Sequence, residues 1–86
     1  MDKIEGMIVC LSDGKGYAVK DRDTLSEADR KKTLLVFFPN GNVYSGTLSR
    51  EFDDDGYFRL MKCNGGTDTL IKLDDIIGWA YKDEVI

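Results

Sequence analysis

The chain has 86 residues and a formal net charge of −4, because 16 acidic side chains outnumber 12 basic ones. Apolar residues make up 42% of it, a composition that indicates a globular protein and excludes a disordered tail. The length allows a single domain, 1–86, and no second core. Nucleic acid is disfavoured as a partner because Arg30, Lys31 and Lys32 form the only basic cluster.

No segment approaches the roughly 20 apolar residues of a membrane span, and no signal-peptide pattern is visible. We therefore expect a soluble cytoplasmic protein without membrane contact. Cys10 and Cys63 are the only cysteines. A disulfide between them is one alternative, but a reducing cytosol favours two buried thiols. Two cysteines without a histidine cannot complete a structural zinc site within one chain.

The first 32 residues predict a hairpin followed by a polar excursion. Strand formers at 7–11 and 17–20 flank a glycine-containing turn. In the polar stretch that follows, Thr24 and Glu27 match a capping box and predict a short helix over 25–31. Only Leu25 and Ala28 could face a core there, and an excursion loop is the alternative reading.

A second hairpin is predicted around Pro39-Asn40-Gly41. Residues 33–38 are the most hydrophobic segment and predict a central strand buried on both faces. Proline ends that strand, and Asn-Gly favours a tight turn. In 43–49, Tyr44 and Leu48 share one face, and Gly46 suggests a bulge or bend.

The remaining third predicts an acidic turn at 52–56, strands at 57–63 and 68–73, and a segment with two readings. In one reading, helical spacing links residues of 73–81; these are Leu73, Ile76, Ile77, Ala80 and Tyr81. In the other, Asp74-Asp75 is a turn and 76–82 a closing strand, which Gly78 and the adjacent isoleucines favour.

Strands and turns at this spacing predict a mainly β fold: a small, strongly bent antiparallel barrel or sandwich of about five or six strands. The stretches VFFPNGNVYSGTLS, YFRLMKC and TLIKLDDIIGWAY resemble the Sm-like and Src-homology-type small barrels. The resemblance covers Leu34 to Tyr81 and implies a bent barrel whose last strand follows a short turn. RNA binding does not carry over, because the basic and base-stacking loop residues are not evident.

Most enzyme chemistries are excluded by residue type, so no catalytic residue, cofactor or metal is predicted. The chain has no histidine, which removes Ser-His and Cys-His pairs. Its consecutive aspartates suit a solvated turn better than acid–base catalysis. The 53–56 stretch lacks the alternating ligands and closing glutamate of an EF-hand, and 14–16 lacks the spacing of a P-loop.

Aromatic side chains beside aspartates suggest a protein interface with an aromatic centre and a charged rim. The candidate interface residues are Tyr44, Phe52, Asp53, Asp54, Asp55, Tyr57, Asp74, Asp75, Trp79 and Tyr81. The alternative places Trp79 in the core and the tyrosines flat on the flank of the domain.

Three functions remain open from the sequence. The favoured one is a small acidic protein-binding module, such as an inhibitor or a phage-encoded immunity or anti-defence protein, that docks on a basic protein surface. The second is a self-associating Sm-like module that pairs a strand edge at 7–11 or 57–63. The third is a single-stranded nucleic-acid binder that uses Arg30, Lys31 and Lys32.

Overall fold

The computed structural model describes residues 8–52, 55–62 and 66–86. Its strands are β1 (Ile8–Cys10), β2 (Gly16–Ala18), β3 (Lys20–Asp21), β4 (Thr33–Phe37), β5 (Val43–Phe52), β6 (Tyr57–Lys62), β7 (Thr67–Lys72) and β8 (Gly78–Tyr81). Two 3-10 helices span Arg22–Glu27 and Leu73–Asp75. No helix in these three ranges is long and apolar enough to cross a bilayer. The mainly β prediction is confirmed.

The strands form two antiparallel sheets. Among the described strands, β1 pairs only with β2, and the other six follow the order β3-β8-β4-β5-β6-β7. Within the described ranges β3 and β7 are the two ends of that sheet, so the sheet is open and the closed-barrel alternative is not found. The reason is topological: β8, which follows the short turn, pairs with β4 on one side and with β3 on the other.

The central strand β4 is buried on both faces, as its unbroken apolar run predicts. Leu34 and Val36 join one core cluster, whereas Leu35 and Phe37 join a second cluster on the other face. All four side chains are almost fully buried. The first cluster lies under β5 to β8 and the first 3-10 helix, and the second lies under the β1–β2 hairpin.

The hairpin between β4 and β5 turns where the sequence predicts. Phe38 donates its N–H to the Asn42 carbonyl at 2.9 Å, and Gly41 takes the positive φ of 91° that a side chain would strain. The bulge expected at Gly46 is wrong, because Gly46 pairs regularly with Leu34. The register shift falls between Leu48 and Phe52, where β5 has passed the end of β4 and pairs, among the described strands, with β6 alone.

The polar excursion contains the first 3-10 helix rather than a helix begun by a capping box at Thr24. Asp21 is the cap, and its side chain accepts the Asp23 N–H at 3.0 Å. The chain leaves β3 at this aspartate, so its carboxylate reaches the first free N–H before Thr24 can. Leu25 and Ala28 are buried, as expected.

The closing segment is a turn and a strand. The second 3-10 helix contains Asp74-Asp75, and β8 follows, which confirms the strand reading over the helical one. Cys10 is a free, exposed thiol, so its predicted burial is wrong. β1 has one strand neighbour among the described residues, and Cys10 lies on the face of β1 away from the core. Cys63 lies outside the described residues.

Candidate protein-binding site

Trp79 belongs to the core. It is 3% exposed within the first core cluster. Its indole Nε1–H donates to the Asp21 carbonyl at 3.1 Å and to Thr24 Oγ1 at 3.2 Å. Because the polar atom of a buried tryptophan needs a partner, these bonds tie β8 to the start of the first 3-10 helix. Of the two predicted locations for Trp79, the interface and the core, the structure therefore places it in the core.

Tyr81 is half-buried among lysines rather than aspartates. Its hydroxyl accepts the backbone N–H of Asp29 at 2.9 Å, and its ring meets Trp79 edge-on at 5.0 Å between centroids. The Nζ atoms of Lys20 and Lys32 lie 5.6 and 4.9 Å from the ring centroid. This cation–π environment had no signal in the sequence, because the three residues come from separate elements.

The other predicted aromatics are divided. Tyr44 is half-buried against the first core cluster, with its ring centroid 4.8 Å from that of Phe38. Phe52 is the last residue of β5. Asp53 and Asp54 lie outside the described residues.

Two aspartate segments far apart in sequence meet at one end of the sheet. Tyr57 and Lys72 are register partners in β6 and β7, and just beyond them Leu73 donates its N–H to the Gly56 carbonyl at 2.9 Å. This bond brings Asp55 and the Asp74-Asp75 pair to the same end of these strands. All three aspartates are exposed. We call Asp55, Tyr57, Asp74 and Asp75 the acidic end.

Local backbone features hold the acidic end in place. Gly56 has a φ of 84°, which lets the chain turn into β6 directly after Asp55. On the other side, the Arg22 guanidinium donates to the Asp74 carbonyl at 3.0 Å and to the Ile76 carbonyl at 3.4 Å. The first 3-10 helix thus anchors the second one, and the Asp74 backbone is fixed while its side chain stays exposed.

The charges of the acidic end differ from those beside Tyr81. Lys20 pairs with Glu84 at 3.2 Å and Lys32 approaches Asp83 at 3.9 Å. The carboxylates of Asp74 and Asp75 form no ion pair with another described residue. Their negative charge is therefore available to a partner. The described residues contain no group of three or more histidine, cysteine, aspartate or glutamate side chains placed to hold a metal ion.

A shallow groove lies on another part of the described surface. It has a volume of about 530 Å³ and lies between the β1–β2 hairpin and the start of β5. Its lining is mixed: Leu11, Leu35 and Val43 are apolar, whereas Asp13 and Asn42 are polar. The groove contains none of the predicted interface residues.

No family model, curated protein or solved structure matches the chain. The resemblance to the Sm-like and Src-homology-type small barrels therefore stays a prediction. The candidate site is therefore argued from the residues and distances of this structure alone.

Proposed function

We propose that this chain is a small acidic, non-catalytic binding protein that docks its acidic end on a basic surface of another protein. The observation that carries the proposal is the hydrogen bond from Leu73 to Gly56, which joins two separate aspartate segments into one exposed surface. Tyr57 supplies an aromatic group beside these charges, in register with Lys72.

Electrostatics support this proposal over a purely structural role for the aspartates. Exposed carboxylates of one sign attract a basic partner at long range and speed its association. Inhibitors and immunity-type proteins encoded by phages or mobile elements, acting in the cytoplasm, are proteins of comparable size and charge. We place this chain in that functional class on the basis of its charge, its size and the acidic end.

Single-stranded nucleic acid is a weaker alternative, because two of its three basic residues are engaged within the chain. The Arg30 guanidinium donates to the Ser49 carbonyl. Lys32 lies over the Tyr81 ring and near Asp83. A self-associating role is favoured by a different observation, the edge of β7, and is argued below.

The test captures partners on the full chain and then measures binding of the purified partner by calorimetry. We expect the partner to present a basic surface. The double variant Asp74→Asn/Asp75→Asn should weaken binding about tenfold, because each lost charge removes an attraction that no described residue satisfies internally. Added salt should weaken wild-type binding as well.

Asp83→Asn/Glu84→Gln is the matched control, because it removes the same number of charges beside Tyr81 instead of at the acidic end. We expect this control to change the affinity by less than about twofold. An equal loss of affinity in both double variants would mean that only net charge matters, and the proposed docking site would then be wrong.

A further inference from the structure

β7 is the free edge of the six-stranded sheet on the side of the acidic end. It pairs with β6, and no other strand of the described ranges pairs with it. The predicted edge at 57–63 is wrong, because β6 in that segment lies between β5 and β7 and both of its sides are used. A strand edge of this kind presents N–H and C=O groups that can pair with another chain.

The backbone direction along β7 follows from one hydrogen bond. The Leu73 N–H points toward β6, where it reaches the Gly56 carbonyl. Successive residues of an antiparallel strand point their N–H and C=O groups to alternate sides. The backbone groups of Lys72, Leu70 and Asp68 therefore face away from β6, toward the free side.

The side chains of the same three residues share one face of the sheet. Ile71, between them, is buried in the first core cluster, so its neighbours project to the opposite face. Leu70 is 60% exposed, so a second strand that covered it would remove apolar surface from water. An acidic and a basic residue lie two positions to either side of it.

This arrangement is complementary to itself. If two copies of β7 pair antiparallel with Leu70 opposite Leu70, then Asp68 of each copy lies opposite Lys72 of the other. Opposite charges and apolar pairs directly across a ladder stabilise it. A shift of two residues in either direction would place Leu70 opposite Asp68 or Lys72, so the side chains select one register.

We propose that β7 is a homodimerisation edge, at which a second copy of this chain pairs antiparallel about a two-fold axis through Leu70. The dimer joins the two six-stranded sheets into one continuous sheet. It covers the exposed Leu70 and pairs the outward backbone N–H and C=O groups of Leu70 in the two copies. This inference rests on the β7 edge and Leu70 rather than on the aspartates of the acidic end, although it shares a neighbour with that end: Lys72 Nζ lies 5.9 Å from the Tyr57 ring centroid.

The experiment is sedimentation equilibrium of the full chain under reducing conditions, from about 1 μM to about 1 mM, the range that detects weak dissociation constants. The wild-type mass should rise from 9.7 kDa toward twice that value. Asp68→Lys alone and Lys72→Asp alone should each weaken the homodimer about tenfold or more, because each places two like-charge pairs across the ladder.

Mixing the two single variants is the decisive measurement. In the mixed dimer, the lysine introduced at position 68 of one copy meets the aspartate introduced at position 72 of the other. The unchanged Lys72 of the first copy meets the unchanged Asp68 of the second, so association should return to the wild-type level. Circular dichroism of each single variant checks that the fold is kept.

A wild-type chain that stays monomeric throughout this range would overturn the proposal. Asp68 and Lys72 would then be charges that keep the β7 edge from associating. Association that the single variants leave unchanged, or that the mixture fails to restore, overturns it as well.

Discussion

At one end of the six-stranded sheet, β3 and the first 3-10 helix cover β8, whereas at the other end β7 has no described neighbour beyond β6. Trp79 and Leu25 are buried at the covered end, while Leu70 is 60% exposed at the open end. The polar excursion thus serves to protect one edge. The other edge, at β7, has no such cover among the described residues.

The comparison bears on two aromatic residues, Trp79 and Tyr81, that the sequence predicted at an interface. Trp79 and Tyr81 lie at the covered end, and their polar atoms bond to the backbone or side chains of 21–29. These bonds contribute to the stability of the fold. Asp74 and Asp75, between β7 and β8, are exposed, although Arg22 of the first 3-10 helix bonds to the Asp74 carbonyl.

The largest expected effect is at Trp79. Replacing it with alanine should lower the free energy of unfolding by about 3–5 kcal/mol, because the change leaves a large cavity and removes the bonds to Asp21 and Thr24. Urea unfolding followed by circular dichroism measures this. Trp79→Phe, which keeps a ring, should lose clearly less; equal losses would show that the ring does not fill the covered end.

A pair of leucines compares the two ends directly. Leu25→Ala should cost about 2–5 kcal/mol of unfolding free energy, because Leu25 is fully buried in the first core cluster. Leu70→Ala should change the stability of the monomer by no more than about 0.5 kcal/mol. Urea unfolding of both variants at low protein concentration tests the contrast. Similar values would contradict the assignment of a covered and an open end.

The smallest expected effect is at Tyr81. Tyr81→Phe removes the hydroxyl that accepts the Asp29 N–H, and it should lower the free energy of unfolding by about 0.5–1.5 kcal/mol. Tyr44→Phe is the control, since the Tyr44 hydroxyl has no described hydrogen-bond partner. Thermal unfolding that places both variants at the wild-type midpoint would show that the bond to Asp29 does not stabilise the covered end.

The local sequence pattern predicted the structure correctly where the conformation of a segment depends mainly on its own residues. The apolar run of β4, the Asn40-Gly41 turn and the burial of Leu25 all follow from residue type and spacing. The local pattern predicted the wrong position where the conformation depends on contact with a second segment. The helix cap is Asp21 rather than Thr24, because β3 ends at Asp21. The irregularity of β5 lies beyond Gly46 rather than at it, because Gly46 still pairs with β4.

The candidate site divides in the same way. The sequence identified the aspartates as solvated and Trp79 as a core alternative. It could not show that Asp55 and Asp74 share one end, because that depends on the pairing of β6 with β7. The exposed Leu70 was also missed, since an alternating strand does not reveal which strand lies at an edge.

The sequence by itself determined a mainly β chain, the turn at Asn40-Gly41 and an acidic composition without histidine, because these depend on side-chain type and on contacts between near neighbours. Tertiary structure alone decided which strand stays open, which aromatics are buried and which aspartates meet. Those outcomes depend on the order of strands in the sheet, and pairing between distant segments sets that order.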